Sequence, residues 1–154
     1  MSKAIEKTEL YSSKFACYVY YPSSQALFSD WYKATRDMTS ITFREEMVAW
    51  VRVIEKCKPK YIYDRCLDFE YSITHDERLW AAHLINPAMV HSGVIRYAHL
   101  QPLSLFAERP VELLFEEFLN MQLPNQYPIK HFVSTEMALA WLFQEENMQG
   151  GRHF

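Results

Sequence analysis

Glycine is nearly missing from this chain: among 154 residues there are three, Gly93, Gly150 and Gly151, and the last two stand close to the C-terminus. Loops that cradle a dinucleotide or a nucleotide phosphate need several glycines so that backbone N–H groups can approach the phosphates. One usable glycine excludes Rossmann and P-loop enzymes. Cysteine is also sparse, and Cys17, Cys57 and Cys66 are an odd number with no CxxC pair. That spacing encodes neither a disulfide framework nor a zinc ribbon and fits reduced thiols in a cytoplasmic compartment. Charge of one sign is lacking too, since 16 Lys and Arg against 19 Asp and Glu leave a net charge of -3. Without a basic excess there is no electrostatic reason to expect a nucleic acid or an anionic membrane as partner. Long apolar runs are absent, and the first ten residues, MSKAIEKTEL, carry charges where a secretory signal needs an apolar stretch. The chain is therefore expected to be neither exported nor membrane-spanning.

What is present is core material. Apolar residues make up 49% of the chain and aromatics 16%, with 23% charged, far from the composition of disorder. At this length one hydrophobic core is expected, with residues 8–146 as a single domain and residues 1–7 and 147–154 as flexible tails.

The periodicity changes along the chain. Phe15, Cys17, Val19 and Tyr21 alternate with Ala16, Tyr18 and Tyr20, which predicts a strand, and after Pro22-Ser23-Ser24 the run Ala26–Tyr32 predicts its antiparallel return. Phe43, Met47, Trp50, Val51 and Ile54 then share one helical stripe, opened by a Thr42/Glu45 capping-box spacing and closed by Lys58-Pro59. Tyr61-Ile62-Tyr63 reads as a buried strand ending near Asp64 or Arg65. Thr74 and Glu77 form a capping box for a second helix, in which Asn86-Pro87 predicts a kink or break and Gly93 the end. A strand over Val94–Leu100 follows, and Pro110 at a first helical position predicts a third helix through Met121. Ile129–Val133 reads as a last strand, and Ser134 as the cap of a final helix, Thr135–Glu146. The order is β-β-α-β-α-β-α-β-α: an α/β fold with a mixed, mostly parallel sheet of about five strands, an N-terminal antiparallel hairpin and four helices.

That order, with the strings LFSDWYKATRDMTSITFREEM at 27–47, KPKYIYD at 58–64, VIRYAHL at 94–100 and KHFVSTEMALAWL at 130–142, resembles the STAS superfamily, the sulfate-transporter and anti-sigma-factor-antagonist domains, and in particular its SpoIIAA-like branch. The resemblance implies a non-catalytic cytoplasmic domain of bacterial regulation that works by binding a protein. In phospho-regulated members a serine in an Asp-Ser-Ser-Gly string opens the second helix. Ser72-Ile73-Thr74-His75 stands at that place here: Thr74 keeps the hydroxyl, Ser72 replaces the aspartate and His75 the glycine. Asp76 and Glu77 beside Thr74 would repel an added phosphate, and the capping role already accounts for the threonine.

The residues offer few other sites. Asp64, Asp68 and Glu70 follow a strand where α/β sheets bind ligands, yet a solvated loop neutralised by Arg65 and Arg44 explains them without a metal. His75, His83, His91, His99, His131 and His153 show no HExxH or H-x3-H spacing, so they read as surface or capping residues, with His99 as a partner for a neighbouring loop. Cys66, just past a strand end, reads as an inert thiol. No cofactor or catalytic residue is therefore expected. The candidate binding or regulatory residues are Ser72, Thr74 and His75, flanked by Asp64, Arg65 and Asp68. A protein partner or a second copy of the chain is the expected ligand. The alternative is a lipid-like or aromatic small molecule held in an apolar interior, suggested by the excess of aromatics such as Trp31, Tyr61, Tyr63 and Phe69.

Overall fold

A computed structural model describes residues 6–144. Its strands are β1 (Thr8–Ser12), β2 (Ala16–Tyr21), β3 (Ala26–Trp31), β4 (Tyr61–Arg65), β5 (Arg96–Leu100) and β6 (Ile129–Phe132). The helices are α1 (Ser40–Cys57), α2 (His75–Ser92), α3 (Leu105–Asn120) and α4 (Thr135–Leu142), with a 3-10 turn at Lys33–Asp37. The six strands lie side by side in chain order; β1, β2 and β3 are antiparallel neighbours, and β3 to β6 run parallel. The fold is thus α/β with four helices and a mixed sheet, but the sheet has six strands where five are expected. The extra strand, β1, is an edge strand reading TELYS with mostly exposed side chains and a bulge between Glu9 and Tyr11, so no hydrophobic alternation announces it. The N-terminal hairpin is accordingly a three-stranded meander.

Each parallel connection shifts by one strand in the same direction, and α1, α2 and α3 pack in sequence against one another over one face of the sheet. Tyr18, Leu27, Ile62 and Tyr97 bury into that layer together with Phe43, Ile54, Ile85 and Phe118. Among the described residues, the opposite face is covered over β4, β5 and β6, by α4, where Tyr63, Ala98 and Leu100 meet Ala138 and Leu142. Because strand side chains alternate between faces, β4 sends Ile62 and Asp64 toward the three-helix layer, and Tyr63 and Arg65 the other way.

All four helices differ in detail from expectation. The capping box of α1 is Thr39 with Thr42, not Thr42 with Glu45: the Thr42 amide donates to Thr39 Oγ1 at 3.2 Å and the Thr39 amide to Thr42 Oγ1 at 2.8 Å. Helix α2 runs unbroken through Pro87, whose missing N–H deprives a single carbonyl, that of His83, of its helical donor. Helix α3 starts five residues before Pro110; Leu105 and Phe106 in its first turn are exposed and add nothing to a core stripe, so the sequence pattern does not announce that turn. Helix α4 ends at Leu142, short of the expected Glu146: Phe143 is its C-cap and residue 144 is not helical, while residues 145–146, like residues 1–5 and the tail from 147, lie outside the described residues. The caps at Thr74 and Ser134 form as expected, and Gly93 closes α2 at φ 87°, a left-handed conformation that favours glycine.

One polar knot holds α2 to the far end of α3. Asn86, fully buried, donates to the Phe118 carbonyl at 3.1 Å and to Gln126 at 2.8 Å, and accepts from the Tyr127 hydroxyl at 2.7 Å. Replacing Asn86 by Ala strands these partners in the core. We predict a loss of about 2–4 kcal/mol in urea unfolding, and a change below about 0.5 kcal/mol would show that the knot is not structural.

Candidate functional site at the carboxyl end of the sheet

Because β3 to β6 are parallel, their carboxyl ends lie together, and the segments 66–74, 101–104 and 133–134 leave from one end of the sheet. Hydrogen bonds tie these segments: Gln101 N–H donates to the Phe132 carbonyl at 2.9 Å, and Leu103 N–H to the Leu67 carbonyl at 3.1 Å. This is the end where open α/β sheets bind their ligands.

Asp64 sits here, but it is not in a solvated loop. It is the fourth residue of β4 and is buried, its carboxylate accepting from Trp31 Nε1 at 2.8 Å, from the Tyr97 hydroxyl and from Cys66 Sγ at 3.4 Å. The cause is strand alternation, which turns Asp64 into the three-helix layer. Burial raises its pKa above the ordinary carboxylate value, opposed by the hydrogen bonds from Tyr97, Trp31 and Cys66. Arg65, one residue on, faces the other way and pairs with Asp30 at 2.8 Å and Asp68 at 3.6 Å. Arg44 does not neutralise these acids; its guanidinium lies 4.7 Å from the Trp80 ring centroid.

His99 of β5 stands beside Asp64 in the strand register and is buried, not a surface or capping residue, and its ring partner is His131 of β6 and not a neighbouring loop. Its Nδ1 lies 2.9 Å from His131 Nδ1, while its Nε2 is buried without a hydrogen-bond partner. Burial, with His131 beside it, holds the His99 pKa well below the usual imidazole value. Asp64, Cys66 and His99 each present a metal-ligating atom, and these three atoms lie within 4.8 Å of one another. A cavity of about 30 Å³, lined by Asp64 and Cys66 together with Trp31, Tyr97 and Phe115, adjoins the cluster. That is room for a water and not for a lipid-like molecule.

The remaining sequence candidates lie on the segment entering α2. Ser72, Thr74 and His75 are exposed. Thr74 Oγ1 accepts from the Glu77 amide at 3.3 Å, and Glu77 Oε1 accepts from the Thr74 amide at 2.9 Å. Burial pushes the Glu77 pKa up, but the Thr74 amide and the Tyr71 hydroxyl, 2.7 Å away, outweigh it and hold the carboxylate below its ordinary value. His75 Nδ1 is 3.5 Å from Arg78, which donates to the Ile73 carbonyl. The six candidates thus divide: Ser72, Thr74 and His75 on the rim, Arg65 and Asp68 paired on the outer side, and Asp64 in the core.

Two features carry no signal in sequence. Leu103, Leu105 and Phe106, after β5, and Val133 and Met137, after β6, are 64% to 84% exposed. Read one by one along the chain they pass as ordinary apolar residues, and only the parallel pairing of β5 and β6 sets them at one end of the molecule. The other is the pairing of His99 with Asp64 and Cys66, which are 33 or more positions away in sequence.

None of the cysteines is activated. Burial raises the Cys57 thiol to about 11 and, with the Asp64 carboxylate beside it, holds Cys66 well above the usual thiol range; Cys17 is raised as well. Comparison with protein-family models, with curated proteins and with solved structures finds no match.

Two measurements check this geometry. Alkylation of the native protein near neutral pH, followed by peptide mass mapping, is expected to modify Cys66 last and only as the chain unfolds; early labelling of Cys66 would contradict its burial. Thr74→Ala is expected to cost about 1 kcal/mol of stability through the lost cap, read by denaturant unfolding.

Proposed function

We propose that the chain is a non-catalytic regulatory module that binds a protein partner through the apolar rim at the carboxyl end of its sheet, in the manner of the SpoIIAA-like STAS domains it resembles. The observation that carries this reading is the set Leu103, Leu105, Phe106, Val133 and Met137, large apolar side chains exposed on the segments that follow two neighbouring strands. Large apolar side chains left in water cost free energy that a partner's apolar side chains relieve. The rim shares its end of the sheet with Ser72 and Thr74, so a modification there would act next to the docking surface. The filled core supports this reading over a carrier, since the cavity beside Asp64 offers about 30 Å³. The raised thiol pKa values support it over a cysteine nucleophile.

Native mass spectrometry of the untagged chain isolated from its own host tests the proposal. We expect a stoichiometric complex with a second protein that Phe106→Asp dissociates without lowering the melting temperature. Leu119→Asp, an exposed apolar position at the opposite end of α3, is expected to leave the complex intact. A complex that survives Phe106→Asp overturns the docking surface. A homodimer broken by Phe106→Asp replaces the heterologous partner with a second copy, and a retained small molecule would make the chain a carrier or sensor.

A further inference from the structure

The three-helix layer holds an unusual set of groups for an apolar core: a carboxylate, a thiol and an imidazole, all at least nine-tenths buried and within 4.8 Å of one another by one ligating atom each. We propose that Asp64, Cys66 and His99 bind one zinc ion. Zinc takes oxygen, sulfur and nitrogen ligands together, at about 2.0–2.3 Å, so that neighbouring ligand atoms of a tetrahedral site stand roughly 3.3–3.7 Å apart. Cys66 Sγ and Asp64 Oδ1 are already 3.4 Å apart. Drawing in the third ligand requires a shift of about 1.5 Å at most, within the reach of side-chain torsions.

Three further observations point to a cation. The first is the buried Nε2 of His99, which has no hydrogen-bond partner, although a buried polar atom left so is costly. The second is that the other nitrogen of that ring faces His131 Nδ1 at 2.9 Å. A ligating histidine ordinarily gives its second ring N–H to an acceptor, which fixes the tautomer that leaves the lone pair free for the metal. Here a proton on His99 Nδ1, accepted by His131, leaves the lone pair on Nε2. The third is orientation of the carboxylate: Trp31 Nε1 and the Tyr97 hydroxyl both donate to Asp64, as outer partners do around a metal-bound carboxylate. Charge agrees with this, because a divalent ion balances one carboxylate and one thiolate and leaves the core neutral. With three protein ligands, the fourth position falls to a water, for which the adjoining cavity of about 30 Å³ has room.

Cys66 opens the segment 66–74, which contains no helix or strand, so the ion enters when that segment opens or while the chain folds. The ligands escape a motif search because they come from two strands and a strand end.

The experiment uses the untagged full chain produced in zinc-supplemented cells, purified without chelator and analysed by elemental mass spectrometry. We expect about one zinc per chain, and a melting temperature that falls on chelation and recovers with added zinc. Cobalt loaded in its place is expected to give a thiolate-to-metal charge-transfer band and the intense visible bands of a tetrahedral site. The Cys17→Ser/Cys57→Ser double variant keeps both signals, whereas Cys66→Ser and His99→Gln lose the zinc. Absence of stoichiometric zinc together with absence of a charge-transfer band in the folded wild-type chain overturns the proposal, and needs no variant. Zinc retained by a folded Cys66→Ser/His99→Gln double variant overturns it equally, by placing the metal elsewhere.

Discussion

The structure is organised around one buried carboxylate. Asp64 lies in β4, in the middle of the parallel part of the sheet, and its oxygens accept from Trp31 at the end of β3 and from Tyr97 in β5. A carboxylate removed from water is tolerated only where donors replace its hydration. Besides the Cys66 thiol, they are two aromatic side chains whose rings do the packing. Trp31 meets Trp50 and Phe69 edge to face, and Tyr97 meets Trp50 and Phe115 in the same way. Trp50, in turn, donates to Ser29 Oγ at 2.7 Å. The polar and apolar parts of the core are therefore one arrangement, because the rings that fill the layer beneath the helices also hold the acid.

A second buried acid shows the same logic in the same layer, nearer the antiparallel edge of the sheet. Glu46 of α1 accepts from Tyr11 at 3.1 Å and from Tyr18 at 3.3 Å, while the two tyrosine rings stack 5.0 Å apart. This joins the edge strand β1 to the helix layer and explains why so short and polar a strand is held. The aromatic excess of the sequence is thus largely structural, with phenol and indole groups serving as buried donors to carboxylates. The donor set of the proposed zinc site belongs to the first of these arrangements, where a thiol and an imidazole join the acid.

Much of this was legible in the sequence. The α1 stripe of Phe43, Met47, Trp50 and Ile54, the reciprocal cap of Thr74 with Glu77 and the glycine stop at Gly93 are local patterns, and each is found where its chemistry predicts. The misplacements have local causes as well. Strand β1 lacks alternation, Thr39 caps α1 through a second threonine and not an acid, and the first turn of α3 is apolar but faces solvent. Asp64 misleads because the end of a strand and the start of a loop look alike in sequence. One residue of difference decides whether the side chain points to solvent or into the core.

Sequence alone determined the class of fold, since the alternation of two-residue and 3.6-residue periods is a property of neighbouring positions. It also excluded glycine-rich phosphate sites, because that chemistry needs a particular residue in a particular loop. What only the tertiary structure decided is which distant residues meet. The pairing of β4 with β5 sets Asp64 beside His99, the run of parallel strands gathers Leu103, Phe106 and Val133 at one end, and neither pairing has a signature within any one segment. Register is set by how whole faces of the sheet bury against helices, a constraint that acts across the chain and leaves no mark on the spacing of the residues it brings together.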